Sequence, residues 1–507
     1  MRISKIEQSR KKWKTKAKER AAKIRNLRKT AKRLKKKPPQ DSLPPSDHEP
    51  SRSRPEENAP RISRPQNQGF KVTPEINPLI AHRVLCVIMI IRGITPFRSV
   101  PRMLEIFQPL LRWPMPIPHF TSVIHWTLRT GIALFRQVSV WSQPWVALLD
   151  CSIDIGTRKA LVVLRIPLQA LHHKQQAIGL QDCECIGLEI AHGWNGPRVA
   201  ETLARVFARA GCPVAVLKDG GADLRKGVEL FCGRHPEKPI FSIEDVGHYT
   251  ANLLKAQYAG KKSFTAFLKI VSAGAALIRQ TNLAWLMPPK LRAKGRFQGI
   301  TALALWSHKL LALIARKGKA GSVSDACKAR KAFSGLARLR PFLNRFCQVC
   351  ARVDLFLELL KTKGLNEATH KDAQDLLAKL PARSLLRKGL AAWLEKHILI
   401  FRALGQENGC LPVSSDPIES LFGKFKTIIQ RNPHAELNRL IYVIPLLCGE
   451  HSEAVIHRAL HQCSHSEMLS MIEQTVPPTL RQTRKQNLDK SPFSVPKSGD
   501  SYVYDSG

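Results

Sequence analysis

Acidic residues are scarce in this chain. Its 507 residues include 39 Asp plus Glu against 81 Lys plus Arg, a formal net charge of +42. A charge of that size repels itself unless a polyanion neutralises it. Nucleic acid is therefore the first partner to expect and an anionic membrane surface the second. Long hydrophobic runs are also lacking. The greasiest, VLCVIMII at 84–91, falls far short of the ~20 residues that span a bilayer. The basic N-terminus leads into no apolar stretch of the kind a secretory signal needs. The twelve cysteines are scattered, not packed into the short, dense framework of a disulfide scaffold. Cys347-Gln-Val-Cys350 is a single CxxC with no second pair, which reads as reduced core thiols and not as a zinc site. These absences lead us to expect a soluble protein of a reducing compartment with no membrane partner, cytoplasmic and, if bacterial, nucleoid-associated.

What is present is enough apolar residues, 44%, for real cores, in a chain long enough for about three domains. Charge divides it first. Residues 1–37 carry a net +16, yet the rest still carries +26, so the body is cationic as well as the tail. Within the first segment Trp13, Ala17, Arg20, Ile24, Leu27, Ala31 and Leu34 recur at spacings of 4 and 3, a weak seam that suits a basic helical arm. Residues 38–74 are rich in Pro and Ser at their start and read as a disordered linker. Residues 75–140 turn apolar and helical. A Pro-rich break at 114–118 separates two helical patterns, the second capped by Thr121 or Ser122 and bearing His125, Arg129 and Arg136. Two helices around a tight break suggest a helix-turn-helix reader of DNA, with Arg129 among its contacts.

Between 141 and 260 the period changes. Apolar runs at 145–150, 159–167 and 183–190 read as strands joined by short links, an antiparallel meander. A Pro-initiated helix (197–211), a strand (213–219), a turn and helix (220–233) and a fifth strand (239–246) follow, so the last two strands arrive by helical crossovers. This α/β pattern describes a mixed five-stranded sheet of order 3-2-1-4-5. Residues 261–412 contain no convincing strand and read as an all-α insertion. Helices resume over 413–475, beginning at SSDPIESLFGKFK, and 476–507 reads as a disordered tail.

Two carboxylates stand where such a sheet brings its strands together. Asp150 ends the first strand; Asp219 ends the fourth, followed by Gly220-Gly221, which permits close approach to the backbone. Strands one and four are neighbours in the order 3-2-1-4-5. Like charges placed side by side repel unless a cation lies between them, and two Mg²⁺ ions would serve phosphoryl transfer there. A third carboxylate is expected from a helix over the same edge, and Glu419 in Asp416-Pro417-Ile418-Glu419 is the candidate. The same four residues also suit a helix start, with Asp416 as cap, Pro417 at the first position and Glu419 closing a capping box.

The chain resembles the RNase H-like DDE transposases that carry an all-α insertion, a group including the hAT superfamily. Four features carry the resemblance: Asp150 in LLDCS, Asp219 in KDGGADL 69 residues later, Asp245-Val-Gly-His248 after the fifth strand, and Glu419 in DPIESLFGKF 200 residues past Asp219. The resemblance covers roughly 145–430. It implies an RNase H-like core, an N-terminal helical DNA-binding region, and a catalytic triad of Asp150, Asp219 and Glu419 holding two Mg²⁺ ions, for which Mn²⁺ can substitute. It implies that Asp245 and His248 support that triad, with His248 able to contact the scissile phosphate. It further implies a tryptophan in the insertion that stacks on a flipped base, for which Trp285 and Trp306 are the candidates. Lys424 and Lys426, one and two turns past Glu419, suit phosphates. The expected activity is that of an insertion-sequence transposase: binding double-stranded DNA at the element ends, hydrolysing it, and joining the freed 3′-OH to target DNA as a homo-oligomer. A structure-selective nuclease on the same fold and a domesticated, non-catalytic DNA-binding protein are the alternatives.

Overall fold

The computed structural model describes residues 78–111, 115–155, 158–168, 177–237, 239–290, 296–315, 325–405, 409–429 and 437–489. The basic arm at 1–37, the linker at 38–74 and residues 490–507 lie outside them. Helix α1 (Pro78–Ile91) takes up the apolar run at 84–91, whose Cys86, Val87 and Ile90 are buried. Helix α2 (Ser99–Leu111) turns Val100 and Leu104 inward and leaves Ile106 and Leu110 exposed. Helix α3 (Phe120–Arg136) starts two or three residues earlier than its sequence suggests. His119 caps it by accepting the Thr121 N–H, in place of Thr121 or Ser122.

Most of α3 is core. Val123, Leu128, Ile132 and Phe135 are buried, and Gly131 lies so close to a neighbouring backbone that a Cβ there would stand 1.8 Å from the Tyr442 carbonyl oxygen. That carbonyl belongs to a 3₁₀ helix, Arg439–Leu447, from the far end of the chain. The region expected to stand apart as a DNA reader is therefore packed into the same body as the C-terminal helices.

The sheet has the order expected of it. Strands β1 (Trp145–Ile155), β2 (Arg158–Pro167) and β3 (Glu184–Ala191) form the antiparallel meander. Strands β4 (Ala215–Lys218) and β5 (Phe241–Glu244) add in parallel on the other side of β1, giving β3-β2-β1-β4-β5. Helices α4 (Gly196–Ala210) and α5 (Ala222–Gly233) make the two crossovers. β1 is apolar at nearly every position because both its faces are covered. Trp145, Ala147 and Leu149 join the core under α4 and α5, with Phe207, Val228 and Phe231. Val146 and Leu148 point the other way, into the larger core. This meander followed by two parallel strands is the RNase H-like topology.

After β5, helix α6 (Val246–Tyr258) leads into six further helices: α7 (Lys262–Ile278), α8 (Ile300–Ala315), α9 (Asp325–Ala332), α10 (Arg340–Lys363), α11 (Glu367–Ala378) and α12 (Leu385–Ala403). This is the all-α insertion, and its core includes interlocked rings of Tyr258, Phe264, Phe297, Phe342 and Phe346. It is fastened to the sheet at β5, an edge strand whose outer backbone groups would otherwise lack partners. Trp393 of α12 donates its indole N–H to the Glu244 carbonyl (3.1 Å), and His397 Nε2 accepts the Glu244 N–H (3.1 Å). The two side chains do what a sixth strand would do. Burial holds His397 neutral by lowering its pKa to about 4, which lets Nε2 stay an acceptor.

The chain then returns to the sheet as α13 (Asp416–Ile428) and closes with α14 (Glu453–Gln462), α15 (His465–Thr475) and α16 (Leu480–Asp489). Helix α16 corrects the expectation of a disordered tail from 476. Thr479 and Gln482 bond each other's backbone N–H groups in a capping box, which starts a helix even in so polar a sequence.

Candidate active site

Side chains alternate along a strand, so parity places the carboxylates. Val146 and Leu148 of β1, Leu217 of β4 and Ile243 of β5 all enter the larger core. Asp219 and Asp245 stand just past the ends of β4 and β5, two residues beyond Leu217 and Ile243. Asp150, two beyond Leu148, stands level with them but does not end its strand as the sequence suggests, because β1 runs on to Ile155 beside β2. Strand parity puts all three on one face. The register agrees, pairing Leu149 with Lys218 and Lys218 with Glu244, each one residue before an Asp. Helix α13 packs on that face through Ile418, Leu421, Phe422 and Phe425. Its first two turns bring Glu419 to the carboxyl end of the strands.

Each carboxylate meets a different environment. Asp150 is 6% exposed, at the start of a bulge in the β1–β2 ladder. Asp219 is half-buried, and its Oδ1 accepts the Gly221 N–H at 2.9 Å, so the Gly-Gly turn is folded back onto the carboxylate. Burial pushes up the neighbouring Cys151 thiol, and the charges of Asp150 and Asp219 push it further the same way, so both carboxylates bear on one spot.

Asp245 is 2% exposed and fully occupied. Its Oδ1 accepts the His248 backbone N–H (2.6 Å) and ring Nδ1–H (3.0 Å); its Oδ2 accepts the Ser415 N–H (2.7 Å) and hydroxyl (3.0 Å). It therefore caps α6 and holds the residue that precedes α13. Burial would raise its pKa, but the hydrogen bonds and charge of His248, with the Ser415 N–H, lower it on balance.

His248 lies between Asp245 and Glu419. Its Nε2 is 3.6 Å from Glu419 Oε1, an ion pair too long to be a hydrogen bond. Burial disfavours the imidazolium, but the Asp245 hydrogen bond and charge, then Glu419 and Asp219, outweigh burial and raise its pKa to about 9. It is charged at neutral pH.

The capping box that competes for Glu419 does not form. Ser415, not Asp416, holds the cap position; it makes no side-chain cap bond, because its hydroxyl is on Asp245. Lys424 is exposed and Lys426 half-buried further along α13.

The remaining candidates divide. Trp285 is 64% exposed on a 3₁₀ turn, Ala284–Leu286. Trp306 is half-buried, packed edge-on against Phe333, and donates its indole N–H to the Leu286 carbonyl (3.1 Å). Trp306 fastens the turn that presents Trp285. Arg129 does not present its guanidinium to solvent as a reading residue would. Its Nε and Nη2 donate to the carbonyls of Cys463 and Leu460, at the end of α14. His125 packs against His465 with the rings tilted (centroids 4.9 Å apart) and Arg136 pairs with Glu467 (3.7 Å), so these three side chains of α3 all engage the C-terminal helices. Cys347 and Cys350 are free thiols, and burial raises both.

Reading the sequence missed three site residues: Ser415, Asp416 in its actual role, and Lys361. Lys361, at the end of α10, donates to both carboxylate oxygens of Asp416 at 2.8 and 2.7 Å. It shares a 330 Å³ cleft with Asp245, His248, Lys290, Asp416 and Glu419. No local pattern marks a residue 55 positions from its partner.

The donors Asp150, Asp219 and Glu419 are all carboxylate oxygens, the ligands that hard divalent cations prefer. Among the described residues, no three His, Cys, Asp or Glu side chains are grouped closely enough to hold a metal ion. The set fits such an ion by donor chemistry alone: the three carboxylates are not gathered around one point, and Glu419 is paired with His248.

No family model matches the sequence, and no curated protein does. Among solved structures the chain is similar to a Drosophila P element transposase strand transfer complex. The match has 13% identity and a TM-score of 0.39, and covers 78% of this chain and 94% of that one. That is a distant likeness, and the RNase H-like fold rests on the sheet order itself. Among the described residues, no helix is long and apolar enough to cross a membrane.

Proposed function

We propose that this protein is a DNA transposase of the DDE type, which cleaves phosphodiester bonds at element ends and joins the freed 3′-OH to target DNA. One observation carries the reading. Strand register and parity set Asp150, Asp219 and Asp245 level with one another on three adjacent strands, and the first helix after the insertion, which packs on the same core, carries Glu419 in its first turn. Asp150 and Asp219 would hold two Mg²⁺ ions together with Glu419, and Mn²⁺ can substitute. When bound, such ions supply an activated water or hydroxyl and stabilise the leaving 3′ oxygen.

The chain's own groups do the rest. Asp245 fixes His248 and the start of α13 together. His248, charged at neutral pH, donates from Nε2 to a phosphate oxygen when DNA draws it from Glu419. Lys424 and Lys426 extend the cationic face, and Trp285 offers an exposed ring on which a base can stack. The cationic body and the basic arm bind the duplex, and two ends brought together call for more than one copy.

One observation favours a second reading, a DNA-binding protein without catalysis: no described trio of ligands is grouped for a metal. The test is to incubate the full chain with end-labelled element DNA and a target plasmid, in Mg²⁺ and in EDTA. Metal-dependent nicking with joined products supports the transposase. Nicking alone supports a nuclease, and salt-sensitive binding with no cleavage in either condition supports the binding protein.

A further inference from the structure

The Lys361–Asp416 pair joins the insertion to the site and stands apart from the triad. Lys361 lies in the last turn of α10 and Asp416 in the first turn of α13, three residues before Glu419. Both oxygens of Asp416 are taken by one ammonium, although half of the Asp416 side chain faces solvent. An exposed pair of this kind contributes little to stability, about 0–1 kcal/mol, so holding the fold together is a weak reason for it. Its surroundings give a better one. The pair lines the cleft that holds His248 and Glu419, and Lys290 lines that cleft from the loop after Trp285. The ammonium lies beside the first turn of α6: a Cβ on Gly247 would stand 3.4 Å from Lys361 Nζ, an ordinary contact distance.

A lysine ammonium holding two oxygens of one anionic group makes the contact it would make with a phosphate, in a cleft where Lys290 and His248 stand among the carboxylates of Asp245, Asp354, Asp416 and Glu419. We propose that Lys361 is a phosphate-binding residue of the active-site cleft, delivered by the insertion, and that Asp416 occupies its ammonium until a DNA phosphodiester takes that place. The inference rests on the DNA-acting reading above. It assigns the insertion a direct contact with substrate beside the carboxylates, with Lys290 and His248 as the nearest further cations.

The pair predicts effects of opposite sign. Binding of a fluorescent duplex to the full chain is measured across 50–200 mM salt for Lys361→Met, Asp416→Asn and the double variant. Lys361→Met, which keeps most of the aliphatic stem, should weaken binding roughly fivefold and reduce the slope of log K against log salt by about one. Asp416→Asn should tighten binding, because it frees the ammonium, and the double variant should match Lys361→Met alone. If Asp416→Asn instead weakens binding to the same extent as Lys361→Met, or if neither changes the salt slope, the pair is a strut for α13 and the proposal is wrong. Thermal melting of each variant separates misfolding from lost contact, and Lys361→Arg should restore most of the affinity. Because binding is the readout, these results stand whether or not the protein cleaves DNA; absent cleavage would overturn the transposase reading alone.

Discussion

The two halves of the site are built differently. The strand-borne half, Asp150, Asp219 and Asp245, is placed by backbone pairing: adjacent strands, one parity, one level in the register. The helix-borne half, Glu419 with Asp416 beside it, is placed by side chains: Ser415 on Asp245, His248 near Glu419, Lys361 on Asp416. Exposure follows this division in part, with Asp219 half-buried like Glu419. Asp245 is 2% exposed with every acceptor used, while the Glu419 side chain is 37% exposed and faces a 3.6 Å ion pair. Strand pairing fixes its carboxylates at the cost of burying charge. The returning helix is held by its buried apolar face, Ile418, Leu421, Phe422 and Phe425, and its start is oriented by a few polar contacts.

The largest effect should come from the strand half. Asp150→Ala or Asp219→Ala should reduce metal-dependent cleavage by on the order of 10³-fold or more, since under the proposed function each removes a metal ligand and not a positioning contact. Duplex binding should hold or improve because a negative charge is lost. A cleavage time course beside a binding titration checks both.

Next is Asp245→Asn, which attacks the joint between the halves. The amide keeps the shape but loses the charge on which His248 and Ser415 depend. We expect about 1–3 kcal/mol of lost stability, with the His248 pKa falling from about 9 toward its ordinary value of 6.5. Chemical denaturation and NMR titration of the His248 ring measure the two effects. In the wild type the sign follows from the raised pKa. The contribution of His248 to stability is full below pH 6.5 and is lost as pH rises through about 9.

The opposite pH limb belongs to His397, outside the site. Its pKa is lowered to about 4, so its contribution is present above pH 6.5 and is lost as pH falls toward 4, when protonation removes the acceptor for the Glu244 N–H. Trp393→Phe should cost about 1–3 kcal/mol by leaving the Glu244 carbonyl without its indole donor. Because Glu244 precedes Asp245, a melt that drops while His248 keeps its pKa would separate the clamp from the site.

The smallest effect should be that of Ser415→Ala, about 1 kcal/mol. It takes one of four bonds from Asp245, and the Ser415 backbone N–H still holds. A cleavage loss much larger than the stability loss would mean that α13 has shifted.

The same contrast separates what the sequence made legible from what it did not. The sheet could be read because short apolar runs give way to polar residues at Asp150 and at Lys218-Asp219, whereas Asp245 was singled out only by the motif it shares with His248. Glu419 could be named only through a motif, because 200 residues separate it from Asp219. Its contacts were invisible: Ser415 on Asp245 spans 170 positions and Lys361 on Asp416 spans 55, with no periodicity linking them. In α3 the helix was legible but not its use. The basic face that suits a DNA groove suits equally well the carbonyl ends and the Glu467 of two C-terminal helices, and there the fold places Arg129 and Arg136.

The most direct measurement compares the halves in one assay: single-turnover cleavage of labelled element DNA in Mg²⁺ by Asp150→Asn and by Glu419→Gln, both shown folded by melting. The account predicts that each falls to background while duplex binding persists. Wild-type cutting by Glu419→Gln with none by Asp150→Asn would contradict it, because the helix-borne carboxylate would then stand outside the chemistry.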